Sequence, residues 1–395
     1  MLSRISYRSA GESHGLAVTV ILEGIPRGLE LDMDVINGEL ARRQGGAGRG
    51  GRQRIEQDAV QITGGVRKGV TIGSPLCLVV ENRDYKIDVL PEPVRPRPGH
   101  ADLAGCFRFM DHDIRSTLER ASARETAGRV AAGGVLRQLL SAVGCEVFGF
   151  VRSVGRATLP KSFPGKLVED IAELRRIRDG SKLYTLDKQA DQQMFAAVRD
   201  AGRAGDTVGG LVEVRTTPLL AGLGSCHQWS ERLDARLAAA VVSIPAFKGV
   251  EIGEGMAAAG RPGSKVHDEI LPGSDGRPRR KTNRAGGLEA GMSNGEPLVV
   301  RGAMKPISSL KKPLRSLDMT TGEPVSAGYE RSDVCAVSAA SVVAEAMVSL
   351  VLADAYLSRV GGETMKEFQA RAADLSERAQ RLVGGDLGAD GPADS

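Results

Sequence analysis

Two histidines lie in glycine-flanked loops: His14 in Gly11-Glu12-Ser13-His14-Gly15 and His100 in Arg97-Pro98-Gly99-His100-Ala101-Asp102. Imidazole gives and takes protons near neutral pH, so both rings are candidates for proton transfer, although a loop histidine also serves as a plain surface residue. His112, His227 and His267 have no comparable setting. Between the two histidines runs RRQGGAGRGGRQR, residues 42–54, with Arg42, Arg43, Arg49, Arg52 and Arg54 and no acidic residue. Guanidinium holds phosphate and carboxylate through paired, charge-assisted hydrogen bonds and keeps its proton. The loop therefore reads as a clamp on a small ligand carrying such groups, as an RGG-like nucleic-acid contact, or as a solvated loop.

Helix ends offer a second kind of chemistry. Ser122 and Glu125 have the capping-box spacing ahead of Val130, Val135, Leu136, Leu139 and Leu140, which predicts a helix from Ser122 to about Gly144. Its exposed amides and positive dipole end make Arg120, Ala121 and Ser122 a seat for a ligand phosphate, alongside the simpler role of Ser122 as N-cap. Asp333, with Arg331 two residues before it, reads most simply as the cap of a long apolar helix from Asp333 to about Val360.

These groups need elements to carry them. The pattern predicts a hairpin-like strand pair displaying His14, a helix over 32–43, and strands near 58–64 and 75–81. Further strands fall at EVFGFVRSVG, LVEVRTTP and VEIGEG, with a helix from Glu231 to Ser243. The span from Pro160 to Ala204 is charged and weakly periodic, and carries no legible chemistry. Gly260 to Arg284 reads as mobile, and Gly384 to Ser395 as a disordered tail. Strands and helices do not alternate regularly and no Gly-x-Gly-x-x-Gly follows an early strand, which argues against a Rossmann domain.

The chain of 395 residues is 41% apolar and long enough for a sizeable core, while its net charge of +4 conceals the local basic loop. Five scattered cysteines without a C-x-x-C pair indicate reduced thiols and neither a disulfide framework nor a metal site. The start lacks a signal-peptide core, and no uninterrupted apolar run reaches the roughly 18 residues of a membrane span, so the expected location is the cytoplasm.

An ordered series of segments makes the chain resemble chorismate synthases over residues 4 to 360. GESHG at 11, RPGHAD at 97, LERASARETAGRVAAG at 118, SIPAFKGVEIG at 243, GGLEAGMSNG at 286, MKPISSL at 304 and Arg331-Ser332-Asp333 carry the resemblance. It implies an α+β fold of antiparallel sheets packed with helices and a homotetramer. The implied organisation is one catalytic domain over 1–375, with a helix end and tail over 376–395. It further implies a lyase that eliminates phosphate from 5-enolpyruvylshikimate 3-phosphate to give chorismate, for aromatic amino acid biosynthesis by the shikimate pathway, using reduced FMN without net oxidation.

Matched residue by residue, the resemblance gives His14 as proton donor to the leaving phosphate, His100 as the proton source for reduced flavin, and Asp333 as the carboxylate that assists flavin as base. FMN contacts fall on Arg120, Ala121, Ser122, Pro245, Ala246, Ala290, Lys305, Pro306, Ile307, Ser308, Ser309 and Arg331. Arg43 and Arg49 match positions for NADP contact and are equally expected to meet substrate with Arg124, while Ser13 and Ser122 supply supporting hydroxyls. The chain departs from many members at Ala121 (serine), Ala290 (glycine), Met110-Asp111 and Gln228 (histidine). No separate dinucleotide motif is present, so an external flavin reductase with NADPH as indirect reductant is the expectation. The rival readings are an FMN-binding oxidoreductase and an RNA-binding protein, the latter opposed by the absence of any aromatic residue in 42–54.

Overall fold

The computed structural model describes residues 2–50, 56–160, 170–273, 278–330 and 332–382. One antiparallel sheet has the spatial order β1 (Ser6–Ala10), β2 (Ala17–Glu23), β6 (Leu76–Glu81), β3 (Val60–Gly64). A second, also antiparallel, runs β10 (Phe247–Ile252), β15 (Pro297–Met304), β9 (Gly210–Pro218), β7 (Val147–Val154), β8 (Ala157–Thr158). Four two-stranded ribbons complete the strands: β4–β5 (Val66–Arg67, Val70–Thr71), β11–β12 (Ile270–Pro272, Pro278–Arg280), β13–β14 (Leu288–Glu289, Met292–Ser293) and β16–β17 (Arg315–Leu317, Pro324–Ser326). The architecture is α+β, and every named strand pair is antiparallel, unlike a Rossmann sheet.

Between the sheets lies a helical layer. α4 (Thr126–Ser141) packs on β2 and β6, while α8 (Val337–Val360) packs on β7 and β9, and the two helices pack on each other. Around them lie α1 (Met33–Gln44), α2 (Asp102–Phe109), α3 (Ile114–Ala121), α5 (Ile171–Asp179), α6 (Lys188–Arg203), α7 (Leu233–Val242) and α9 (Met365–Arg381). Period-two alternation puts Val18, Val20 and Leu22 of β2 under α4. The α4–α8 contact needs a bare Cα: a Cβ on Gly133 would lie 2.4 Å from the Ala346 Cβ. By length and composition α8 passes for a membrane span, which the run-length reading of the sequence missed. Its most apolar stretch is wholly buried inside this molecule.

Buried charge on α8 organises the ends of the chain. Asp354 accepts from the backbone N–H of Ser3 (3.0 Å), Arg4 (2.8 Å) and Ile5 (2.7 Å) and pairs with Arg236. Glu345 is met by Arg42 (2.7 Å), Arg137 (3.0 Å) and Arg178 (3.4 Å). Arg178 comes from the 160–204 span that carried no legible chemistry, as does Tyr184, whose hydroxyl donates to the Arg42 carbonyl at 2.9 Å.

Several local expectations are corrected. The capping box at Ser122 does not form: Ser122 ends α3 and caps a 3-10 turn (Ala123–Glu125), Glu125 pairs with Arg129 at 3.0 Å, and α4 begins at Thr126. Asp333 does not cap α8, which starts four residues later behind Ala336. Between 260 and 284 the described residues include a 3-10 turn (Gly263–Lys265) and the short β11–β12 ribbon. Asp268 fastens it by accepting the N–H of Arg284 and of Ala285, each at 2.9 Å. The expected tail, Gly384 to Ser395, and residues 51–55 of the basic loop lie outside the described residues.

Two predictions follow from this packing. Glu345→Ala removes the buried carboxylate that three guanidinium groups share, leaving Arg42 and Arg137 with Glu39 alone and Arg178 with Asp179, and should cost about 3 kcal/mol in urea unfolding. Burial alone would raise the Glu345 carboxyl, but the arginines hold it down at about 2, below the ordinary 4.5. A carboxyl depressed on folding contributes stability that is complete above pH 4.5 and lost as pH falls towards 2, so this variant should also show a flatter acid limb of stability. The β13–β14 turn has positive φ at Ala290 (49°) and Gly291 (84°), the left-handed pair that a tight hairpin requires. Ala290→Gly relieves the Cβ strain and should raise stability by up to about 1 kcal/mol in the same assay.

Candidate active site

The β1–β2 hairpin holds His14 in its connecting loop, and α3 meets that loop from the other side. His14 donates its backbone N–H to Glu119 Oε2 at 2.7 Å, and its Nδ1 lies 2.9 Å from Glu119 Oε1. Glu119 is 1% exposed, and Arg115, one helical turn earlier, reaches it at 3.2 Å. Burial pushes the Glu119 carboxyl up, yet the hydrogen bonds from His14 bring it below the usual carboxylate range. Ser13 donates its N–H to the Glu119 carbonyl at 3.0 Å, and the Ser122 hydroxyl meets that of Ser13 at 3.1 Å.

The arginines continue from there. Ser122 Oγ accepts the Arg124 N–H at 3.3 Å, and Arg124 in turn donates to Asp58 (2.5 Å), Asn82 (2.5 Å) and the Glu81 carbonyl (3.0 Å). Asp58 also receives Arg43, from the last turn of α1, at 2.6 Å. Desolvation opposes ionisation of Asp58, but the two guanidinium groups win and lower it. Arg49 donates to the Arg43 carbonyl at 3.5 Å and to the Asp333 carboxylate, whose other oxygen accepts the Gly50 N–H at 2.5 Å. Asp333 thus ties the basic loop to the segment before α8. The polar path running from His14 to Asp333 joins every substrate-side residue expected from the sequence.

A second cluster forms around His100. Its Nδ1 lies 2.5 Å from Asp102 Oδ1, while Arg97 donates to Asp102 (2.8 Å) and to Ser309 Oγ (3.0 Å). Burial raises the Asp102 carboxyl, but the bonds from His100 and Arg97 carry it far below its ordinary value. Lys305 donates to Ser308 Oγ (2.9 Å), which donates to the Gly99 carbonyl (2.9 Å). Desolvation lowers the Lys305 ammonium. Arg115, which meets Glu119, also bonds the Pro91 carbonyl (2.8 Å) and Glu330 (3.2 Å).

The remaining expected cofactor positions are distributed unevenly. Arg120 donates to the Gly11 carbonyl at 2.9 Å and to Ser9 Oγ at 3.0 Å, which places Arg120, Ala121 and Ser122 beside the His14 loop. Ala246, at positive φ (71°) after Pro245, accepts the Lys305 N–H at 2.9 Å, and the Ile307 carbonyl accepts Thr207 Oγ1 at 2.7 Å. Pro306 is exposed between them. Ala290 stands apart. Its neighbour Gly291 accepts the N–H of Leu233 at the start of α7, whereas Pro245 and Ala246 follow the far end of that helix. A ten-residue helix separates such points by roughly 15 Å. Arg331 lies outside the described residues.

Sequence reasoning missed Glu119, Asp58, Asn82, Arg115 and the roles of Arg97 and Asp102. The last two stand in the His100 motif itself, three residues before and two after the histidine, a spacing that could have been read. Glu119 is 105 residues from His14 and Asp58 is 66 from Arg124, so no local pattern announces either. A 440 Å³ cleft between α5 and α6, lined by Lys182, Thr185 and Phe195 among others, contains none of the expected site residues.

Comparison with known proteins agrees with this arrangement. The family model described as chorismate synthase matches residues 5–357. The chorismate synthase of Syntrophotalea carbinolica is 48% identical over 393 residues, covering 96% of this chain and 100% of that protein. That of Geotalea uraniireducens is 50% identical over 384 residues, covering 92% and 96%. A crystal structure of chorismate synthase superposes with a TM-score of 0.80 at 38% identity, covering 96% of this chain and 99% of the other. The oxidoreductase and RNA-binding readings are not favoured by these matches. With likeness in sequence and in fold running nearly end to end, the chain belongs to the chorismate synthase family, a family of lyases.

Proposed function

We propose that the chain eliminates phosphate from 5-enolpyruvylshikimate 3-phosphate to give chorismate, with reduced FMN bound and no net oxidation. The observation that carries this reading is the continuous polar path from His14 through Ser13, Ser122, Arg124, Asp58, Arg43 and Arg49 to Asp333. The reaction breaks a C–O bond to phosphate and a ring C–H bond and forms a C=C bond. The site must therefore neutralise a leaving anion and accept a proton.

The residues fit anionic ligands. Among the described residues, Nε of Arg43 and of Arg49 are buried without a hydrogen-bond partner. A buried unmet N–H costs about 1–3 kcal/mol, which phosphate or carboxylate oxygens relieve. In this reading Arg43, Arg49 and Arg124 hold the carboxylates and phosphate of the substrate. His14 gives its proton to the departing phosphate, with Ser13 and Ser122 as supporting hydroxyls, and Asp333 is the carboxylate that would assist FMN as base. Arg120, Ala121, Ser122, Pro245, Ala246, Ala290, Lys305 to Ser309 and Arg331 hold FMN, and His100 keeps a proton for it. When bound, reduced FMN supplies electron density to the allylic system.

Residues 1–375 act as one catalytic domain in a cytoplasmic homotetramer, whose mass sedimentation would report. Reduction comes from an external reductase, with NADPH as indirect donor, so NADPH and oxidised FMN alone should sustain no turnover.

The decisive measurement is anaerobic turnover with chemically reduced FMN, following chorismate absorbance and phosphate release together. Equal amounts of both with the flavin still reduced are expected; folded, FMN-binding protein that releases no phosphate would overturn the reading. His14→Ala and His100→Ala should keep the folded state by circular dichroism and slow that turnover by about 10²-fold or more.

A further inference from the structure

His14 sits in a loop that no periodic element constrains, yet both its backbone and its ring are gripped by one side chain. Glu119 Oε2 accepts the His14 backbone N–H at 2.7 Å and Oε1 faces Nδ1 at 2.9 Å, with Oε2 at 3.1 Å from the same nitrogen. The carboxylate is buried, and Arg115 compensates it at 3.2 Å. An ionised carboxylate only accepts, so the ring nitrogen facing it must carry hydrogen. The other nitrogen, Nε2, lies 3.9 Å from Asp84 Oδ2, beyond hydrogen-bond distance, and Asp84 is itself drawn to Lys86 Nζ at 2.7 Å. Between these two carboxylates, the distances favour Glu119 as the partner that sets the tautomer.

We propose that Glu119 is the positioning residue of His14: it fixes the ring orientation and the Nδ1–H tautomer, so that a proton exchanged with ligand travels through Nε2. Its consequence for turnover rests on the reading of His14 as proton donor. In the neutral ring Nε2 carries the lone pair. Protonation there gives an imidazolium held between Glu119 and the ligand, and release returns the same tautomer, so each cycle starts from an unchanged ring. A group that served only to anchor Arg115 within α3 would leave the tautomer and the chemical step alone.

The test is solid-state 15N spectroscopy of the full-length enzyme labelled at histidine. The chain has 5 histidines, and the His14 signals are those lost in His14→Gln. The wild type should show the neutral His14 ring protonated at Nδ1. In Glu119→Gln one amide oxygen faces three donors, so the Nδ1–H form should fall at least severalfold in favour of Nε2–H. Turnover number should drop about tenfold or more while KM stays within about threefold and FMN still binds. Asp84→Asn should leave the tautomer as in wild type. A wild-type ring protonated at Nε2, or a Glu119→Gln enzyme with unchanged tautomer and turnover, would overturn the proposal. The wild-type spectrum decides even where the variant does not fold. A Glu119-dependent Nδ1–H ring in an enzyme with no lyase turnover would uphold the positioning and overturn the reaction.

Discussion

A carboxylate taken out of water must meet a cation in the same dry volume, and the architecture of this chain depends on meeting that condition repeatedly. Asp58 is held between Arg43 and Arg124, Asp102 by Arg97, Glu119 by Arg115, Glu213 by Arg301, Glu345 by Arg42 and its neighbours, and Asp354 by Arg236. Each pair is costly to bury and more costly to break, because the survivor is stranded. Such pairs tolerate little displacement, and they tie together elements that the apolar core alone would leave free to slide.

The site uses the same device on a smaller scale. One acidic side chain secures each of three candidate loops: Glu119 the loop of His14, Asp102 that of His100, and Asp333 the stretch at Arg49 and Gly50. The loops are consequently shaped before any ligand arrives, and donors aimed in advance need no reorganisation when charge develops. The glycine-rich sequence between Gly45 and Gly50 supplies turns, while the acid opposite supplies the fixed point.

Much of this was legible in the residues. β-branched alternation gave the strands that flank the His14 loop, and helical spacing located α1 and α8 to within a few positions at their C-terminal ends. The motif residues His14, Arg43, Arg49, Arg124 and Asp333 fall on one polar path, while His100 gathers a second cluster with Lys305, Ser308 and Ser309, and Ala290 stands at the other end of α7. What could not be read has one physical cause. A carboxylate–arginine pair such as Asp58–Arg124 is selected by tertiary proximity, and nothing in local periodicity marks which of 49 acidic residues will be buried. Helix starts failed for a related reason. Ser122 and Asp333 have the composition of caps, but Ser122 caps a 3-10 turn and reaches Ser13, Asp333 holds Arg49 and Gly50, and α4 and α8 begin behind Glu125 and Ala336 instead.

The bonds from Asp354 to the amides of Ser3, Arg4 and Ile5 span about 350 positions of sequence. During synthesis the first strand emerges long before the helix that fastens it, and the helical layer lacks its central member until α8 has left the ribosome. The first sheet can gain α4 early, but the second, completed only by β15, lacks its covering helix until α8 is made, so closure of the helical layer is a late event.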